Sequence, residues 1–416
     1  MKSLFVLLGL WLSIAANAWG APIVKVQLRV EPTTGAFTCR YVFTLPATDT
    51  ASAILLNLSK QLRVQRVQTG RGVAQLQKVY YPYLADTLQQ VTVHYPPASR
   101  QSRQVTLTYS GTLDKNRTTA QGLEFSGHSW WLPFRPLLEY EVVDYSLAVQ
   151  VPPSYQVRST SPAKRARSGN YLFAGRASAI ELTAIIASEL HQAQTPTGGP
   201  AITVVKVGAP LGPQEATLLP KAQEIIAFYN RTIGRQDTIS RFTVFLTATK
   251  QDAFGLLDNA TVITYPEFDV AHPSALLILA HEISHKWWGY GSVHTEAEWL
   301  NEAFAKYSSL LYLQASGDTT RYQAEMTKLV QSTANAPAII GFDRKKTDYA
   351  TYRRVIYDKG TVVLAALRIR VGSEKFYAIL AKTAAEKVST TTDFLAVVGQ
   401  VSSLDTRLWL TTELSK

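Results

Sequence analysis

The sequence predicts an all-β amino-terminal part followed by a mixed, mainly helical carboxy-terminal part. Three observations carry this. Short runs of alternating apolar and polar residues fill the chain from Pro22 to about Glu189, broken by clusters of Pro, Gly, Ser and Asp. No convincing long helical pattern interrupts them, as expected of an all-β domain. Beyond Ala201 a strand, helix and strand give way, after Thr261–Tyr265, to helical periodicity up to Lys416.

The elements follow in order. Met1 to Ala18 has a basic start at Lys2, an apolar run from Leu4 to Ile14, and small residues ending in Ala16-Asn17-Ala18. This pattern predicts a secretory leader cut after Ala18, and so an exported protein, periplasmic or secreted. The apolar run is shorter than the ~20 residues of a membrane span, and no stable span is expected once the leader is cut. Residues 22–190 form the β domain. Val24, Val26, Leu28 and Val30 alternate with the polar Lys25, Gln27 and Arg29, and further strands are expected at Phe37–Leu45, Ala53–Leu58, Val91–Tyr95, Val105–Tyr109, Tyr145–Val151 and Ile180–Ile186. The aromatic stretch His128–Pro136, HSWWLPFRP, reads as a packed core corner. Residues 191–201, containing QTPTGGP, have the composition of a linker. From 202 to 416 the second domain opens with strands Ile202–Val207 and Phe242–Leu246, flanking a helix around Glu215–Thr232.

The single cysteine, Cys39, lies in a strand-like run and reads as a buried small hydrophobe. With 46% hydrophobic and 18% charged residues, the chain has the composition of a folded protein. Its formal charge is +11, but the basic clusters Lys164–Arg167 and Arg344–Lys346 are thin and lack interleaved aromatics. Nucleic-acid binding is therefore excluded as a reading.

The chemistry concentrates in LLILAHEISHKWWGYGSVHTEAEWLNEAFAKY, Leu276 to Tyr307. His281 and His285 are four apart, so on a helix they share a face and can reach one metal ion. Glu282 lies beside that ion without needing to bind it, where a carboxylate can take a proton from attacking water. Catalytic zinc sites commonly hold three protein ligands and leave one position open. The carboxylates available downstream are Glu296, Glu298 and Glu302. Glu302 is favoured because WLNEAFAKY has the apolar period of the next packed helix.

HEISHKWWG followed by WLNEAFAKY resembles the zinc aminopeptidases of the aminopeptidase N and leukotriene hydrolase family, with HExxHxWFG and WLNEGFA. The connection from Lys286 to Asn301 is two residues shorter than in that family. Gly255 to Glu267 is similar to the family's GAMEN segment and its following strand, and Val355 to Leu367 is similar to its YxKG segment. The resemblance implies a short, two-domain form. A β saddle or sandwich domain would precede a thermolysin-like, mainly helical zinc peptidase domain, without the family's closing helical domain. It implies one zinc held by His281, His285 and Glu302, with Glu282 as general base and Tyr357 as oxyanion donor; Tyr349 and Tyr352 are neighbouring rivals.

By the same resemblance, Gly255, Asp258 and Asn259 would contact substrate, with Asp258 where the family has the Glu that binds the substrate's amino group. Aspartate withdraws the carboxylate by ~1.5 Å; alternatively, Asp258-Asn259 simply turns the chain. The expected function is zinc-dependent hydrolysis of peptides, releasing amino-terminal residues. Endo- or oligopeptidase action on the same site, and a non-catalytic peptide-binding module, are the alternatives.

Overall fold

The computed structural model describes residues 20–49, 51–70, 72–96, 103–167, 169–196, 198–259 and 261–416. The leader pattern at 1–18 lies outside these residues. The architecture is a β-rich amino-terminal domain followed by a mainly helical domain, as the sequence predicts.

Strand Ile23–Glu31 buries every second residue, so Val24, Val26, Leu28 and Val30 face the core while the residues between them face solvent. It sits inside a seven-stranded sheet, antiparallel to Ala36–Leu45 and parallel to Val142–Gln150. Three-stranded sheets complete the domain. One places Asp86–His94 between Ala53–Leu58 and Val73–Tyr81. Another places Ala184–Ala187 between Gln156–Arg158 and Gly122–Phe125. Tyr41, Phe43, Tyr109, Phe125 and Trp131 fill the space between the layers, each almost fully buried. Each such side chain stabilises the fold by about 2–3 kcal/mol on area grounds.

Two expectations need adjusting. Ile180–Ile186 is not one strand: Ala179–Glu181 forms a 3-10 turn before the strand Ala184–Ala187. Val73–Tyr81, where the sequence reading expects no strand, is an edge strand exposed along nearly its whole length. Its partner, Asp86–His94, carries the burial on that sheet.

Cys39 is buried, as expected, with no disulfide partner. Burial pushes its thiol up to about 12, against a smaller opposing effect from Tyr109. The thiolate is the reactive form. The thiol is therefore expected to resist a disulfide reagent at pH 8 in the native protein and to react once denaturant is added. Stoichiometric labelling of the native chain would contradict this.

The predicted linker is corrected by the structure. Leu190–Gln194 pairs antiparallel with Ala201–Val207, from Leu190↔Val207 to Gln194↔Thr203. Its turn-forming Pro and Gly residues make the tip of a hairpin, and its polar composition suits an edge strand with one wet face. The five-stranded sheet continues through Arg241–Leu246 and Thr261–Thr264 to the two-residue edge strand Phe254–Gly255. Helix Leu218–Arg231 connects the parallel pair and buries Ala222, Ile225, Ile226 and Tyr229. Helices Pro273–Ser284, Trp299–Ala315, Thr319–Thr333, Gly360–Val371, Ser373–Ala385, Thr391–Val401 and Leu404–Leu414 follow. Among the described residues no helix is long and apolar enough to cross a membrane.

Candidate metal and active site

Helix Pro273–Ser284 starts with proline in its first turn, where no amide hydrogen is missed. It buries Ala275, Leu279, Ala280 and Ile283. That anchoring turns His281 and Glu282 toward a cleft of about 760 Å³ between the two domains, with His285 just beyond the helix end. The chain then turns through Gly291 and re-enters helix at Trp299, with Glu302 in the first turn.

The shortened connection closes compactly. The Asn301 side chain accepts the Gly291 amide at 2.9 Å and donates to the Gly291 carbonyl at 2.8 Å. The Trp288 indole donates to Ser308 at 3.0 Å, fixing the loop to the second ligand helix. At Gly291 a Cβ would stand 2.1 Å from the Ala297 carbonyl oxygen, so the close approach requires glycine.

His281, His285 and Glu302 converge, with their candidate ligand atoms all within 4.8 Å of one another. The two Nε2 atoms are 3.2 Å apart, and the Glu302 Oε2 lies 3.4 Å from that of His281. The His285 Nδ1 donates to the Trp288 carbonyl at 2.7 Å, which leaves its Nε2 lone pair facing the centre. Two imidazoles and a carboxylate around one point suit zinc. Burial alone would raise the Glu302 carboxyl, but the His281 hydrogen bond and the two imidazoles pull it down to about 2.

Glu282 stands beside this cluster, 3.9 Å from the His285 Nε2, and its Oε2 accepts the Gly255 amide at 2.7 Å. Desolvation, the largest influence, raises its carboxyl and outweighs the neighbouring imidazoles. Tyr357 lines the cleft from a π-helical turn, Arg354–Lys359, a widened geometry frequent at functional positions. Its ring lies parallel to that of His281 with centroids 6.5 Å apart, and its hydroxyl interacts with Glu302. Tyr349 is exposed, and Tyr352 is buried against Glu298. Of the other carboxylate candidates, Glu298 is held by Tyr352 and Arg344, outside the ligand cluster.

The proposed amine anchor is not where the sequence suggests. Gly255 lines the cleft, but Asp258 does not. Asp258 adopts a left-handed backbone, φ 52°, at the tip of the tight turn, and its carboxylate meets Lys286 at 3.4 Å and Lys387 at 2.9 Å. Two ammonium groups thus occupy it. Asn259 is likewise spent on the turn, accepting the Thr261 amide through its carbonyl at 2.8 Å.

The aromatic corner divides its roles. Trp131, Leu132 and Phe134 are buried in the core, whereas His128 and Trp130 line the cleft. Sequence reasoning missed Glu181, a buried carboxylate of the β domain that also lines the cleft. The available signal was a lone acid inside the apolar run AIELTAII.

Two histidines and a glutamate converge beside a further carboxylate, a residue set suited to a hydrolytic zinc centre. Residues 220–407 match the peptidase family M1 domain. Aminopeptidase M1-B of Oryza sativa subsp. japonica is 27% identical over a match that covers 38% of this chain and 21% of that protein. The chain thus spans about a fifth of that relative's length. The fold is similar to that of the M1 zinc metallopeptidase from Deinococcus radiodurans, with a TM-score of 0.71 and 18% identity over 95% of this chain and 94% of that one. A variant of the Deinococcus enzyme bound to a Tyr-Ser-Ala substrate superposes with a TM-score of 0.70 and 20% identity, over 95% and 94% of the two chains.

Proposed function

We propose that this protein is an exported zinc peptidase that releases residues from the amino termini of peptides. The observation that carries the reading is the convergence of His281, His285 and Glu302 beside Glu282 in a cleft roofed by the β domain. The tripeptide bound to the Deinococcus protein of similar fold supports short peptides as substrates. The leader pattern at Met1–Ala18 supports export. The single ligand cluster among the described residues supports one zinc per chain.

When bound, zinc would polarise the scissile carbonyl and lower the pKa of water at the centre. The residues of the chain do the rest. Glu282 keeps one carboxylate oxygen on the Gly255 amide, which fixes the plane of its carboxyl group. Its other oxygen is available to take a proton from the attacking water and return it to the departing amine. Tyr357 supplies a donor where negative charge develops on the carbonyl oxygen. Burial, then the Glu302 carboxylate, pushes its phenol far above the neutral range, so it stays protonated and able to donate.

The test pairs metal content with turnover. Purified protein is expected to hold about one zinc, to hydrolyse aminoacyl-anilides faster than an internally quenched peptide acetylated at its amino terminus, and to lose both activities to a chelator. Binding of peptides without any hydrolysis would favour the non-catalytic module instead. Equal cleavage of free and acetylated substrates would favour the endopeptidase.

A further inference from the structure

We propose that Glu181, a carboxylate supplied by the β domain, takes the charged amino terminus of the substrate, the role the sequence assigns to Asp258. This rests on the peptidase reading above and identifies the residue that would make it an exopeptidase.

The geometry starts from edge strand Phe254–Gly255 and the residues that follow it. The Leu256 amide points into the sheet, donating to the Thr261 carbonyl at 3.0 Å. The amides on either side point the other way, toward the cleft. That of Gly255 is held by the Glu282 Oε2 at 2.7 Å, and that of Leu257 by the Glu181 Oε2 at 3.2 Å. Two amides two residues apart can lie at most about 7 Å from each other, the span of a fully extended chain. The general base and Glu181 therefore sit side by side along the same edge. That separation accommodates one residue of about 3.5 Å with a hydrogen bond at its far end. An amino group seated on Glu181 would place the first peptide bond, rather than a later one, over Glu282.

The electrostatics agree. Glu181 is only 4% exposed, and burial pushes its carboxyl up to about 8, with no cation beside it to oppose this. The other carboxylates lining the cleft are differently placed. Glu282 and Glu302 face the imidazoles, Glu298 faces Arg344, Glu325 pairs with Lys328, and Asp252 is exposed. Glu181, bonded to the Leu257 amide and to Ser178, is thus the buried carboxylate of the cleft that has no cationic partner among the described residues. A desolvated acid of this kind gains most from an ammonium partner. Asp258 already has two, in Lys286 and Lys387.

Glu181→Gln removes the charge but keeps an oxygen for the Leu257 amide, so the loop retains its support. For an aminoacyl-anilide with a free amino group, kcat/KM is expected to fall about 10- to 100-fold, mainly through KM. The ratio of that value to the one for an acetylated quenched peptide should collapse. Asp258→Asn, which tolerates the left-handed backbone, is expected to keep the ratio within about twofold.

A second readout does not need turnover. Calorimetry on zinc-loaded Glu282→Gln protein should detect L-phenylalanine amide more tightly than its N-acetyl derivative. Adding Glu181→Gln should remove that difference. The proposal is overturned if Glu181→Gln leaves the free-amine preference intact, if it weakens free and acetylated ligands equally, or if Asp258→Asn carries the loss. A wild type that hydrolyses nothing would sink the peptidase reading, while the calorimetric comparison would still decide the role of Glu181.

Discussion

Glu282→Gln is expected to retain zinc and lose about 10²–10⁴-fold in kcat, the range over which a positioned general base contributes. The amide side chain preserves volume and can still offer an oxygen to the Gly255 amide, which the carboxylate accepts at 2.7 Å. His281, His285 and Glu302, which would hold the metal, are untouched. What disappears is the ability to take a proton. Metal analysis together with steady-state kinetics separates the two effects. Full activity in this variant would remove Glu282 from the mechanism, whereas loss of metal as well would mean that it supports the ligands rather than the reaction.

The second large effect is expected at Gly255→Ala. A Cβ there would stand 1.9 Å from the Glu282 carbonyl oxygen and 2.8 Å from its carbonyl carbon. Both are main-chain atoms of the ligand helix, so no side chain can rotate away to make room. Either the edge strand moves off the helix or the helix shifts beneath the metal ligands. Overpacking of this kind costs about 1–3 kcal/mol in stability. The kinetic cost should be larger, since displacement of reacting groups by about 1 Å can lose ~10² in rate. Activity is therefore expected to fall at least that far while the protein stays folded by circular dichroism. Wild-type kinetics in this variant would contradict the close packing of strand on helix.

The parts of the site that the sequence made legible are those fixed by local geometry. His281, Glu282 and His285 are placed by helical spacing, and Glu302 by the apolar period of its own helix, so all four fall where their pattern puts them. Tyr357 was legible only through the resemblance of its surroundings, and its position depends on a π-helical turn that no local pattern announces. Asp258 went the other way because its environment is made at a distance. Lys387, 129 residues later, reaches back to its carboxylate, which stands at the tip of a left-handed turn. Glu181 was hidden for a related reason. Within an apolar run it looks like an interruption of a strand, and only the meeting of two domains gives it a place beside Gly255 and Leu257. The exposed strand Val73–Tyr81 escaped because a strand that buries almost nothing leaves no alternation to read.

The contacts across the domain boundary are repeatedly buried carboxylates. Glu124 accepts from Thr249 and Gln251, Glu139 meets His294 at 3.0 Å, and Glu181 holds the Leu257 amide. This has a consequence for biogenesis. The β domain is synthesised first and can assemble its strands before residues 249–294 exist. Until they arrive, the three acids keep only their partners within the β domain, Ser126 for Glu124, Tyr81 for Glu139 and Ser178 for Glu181, and water must serve for the rest. Docking of the later residues then seals the acids and completes the cleft wall in one event. A nascent chain halted between the two domains would thus hold a finished β scaffold with a wet, negatively charged face, and no capacity for the chemistry.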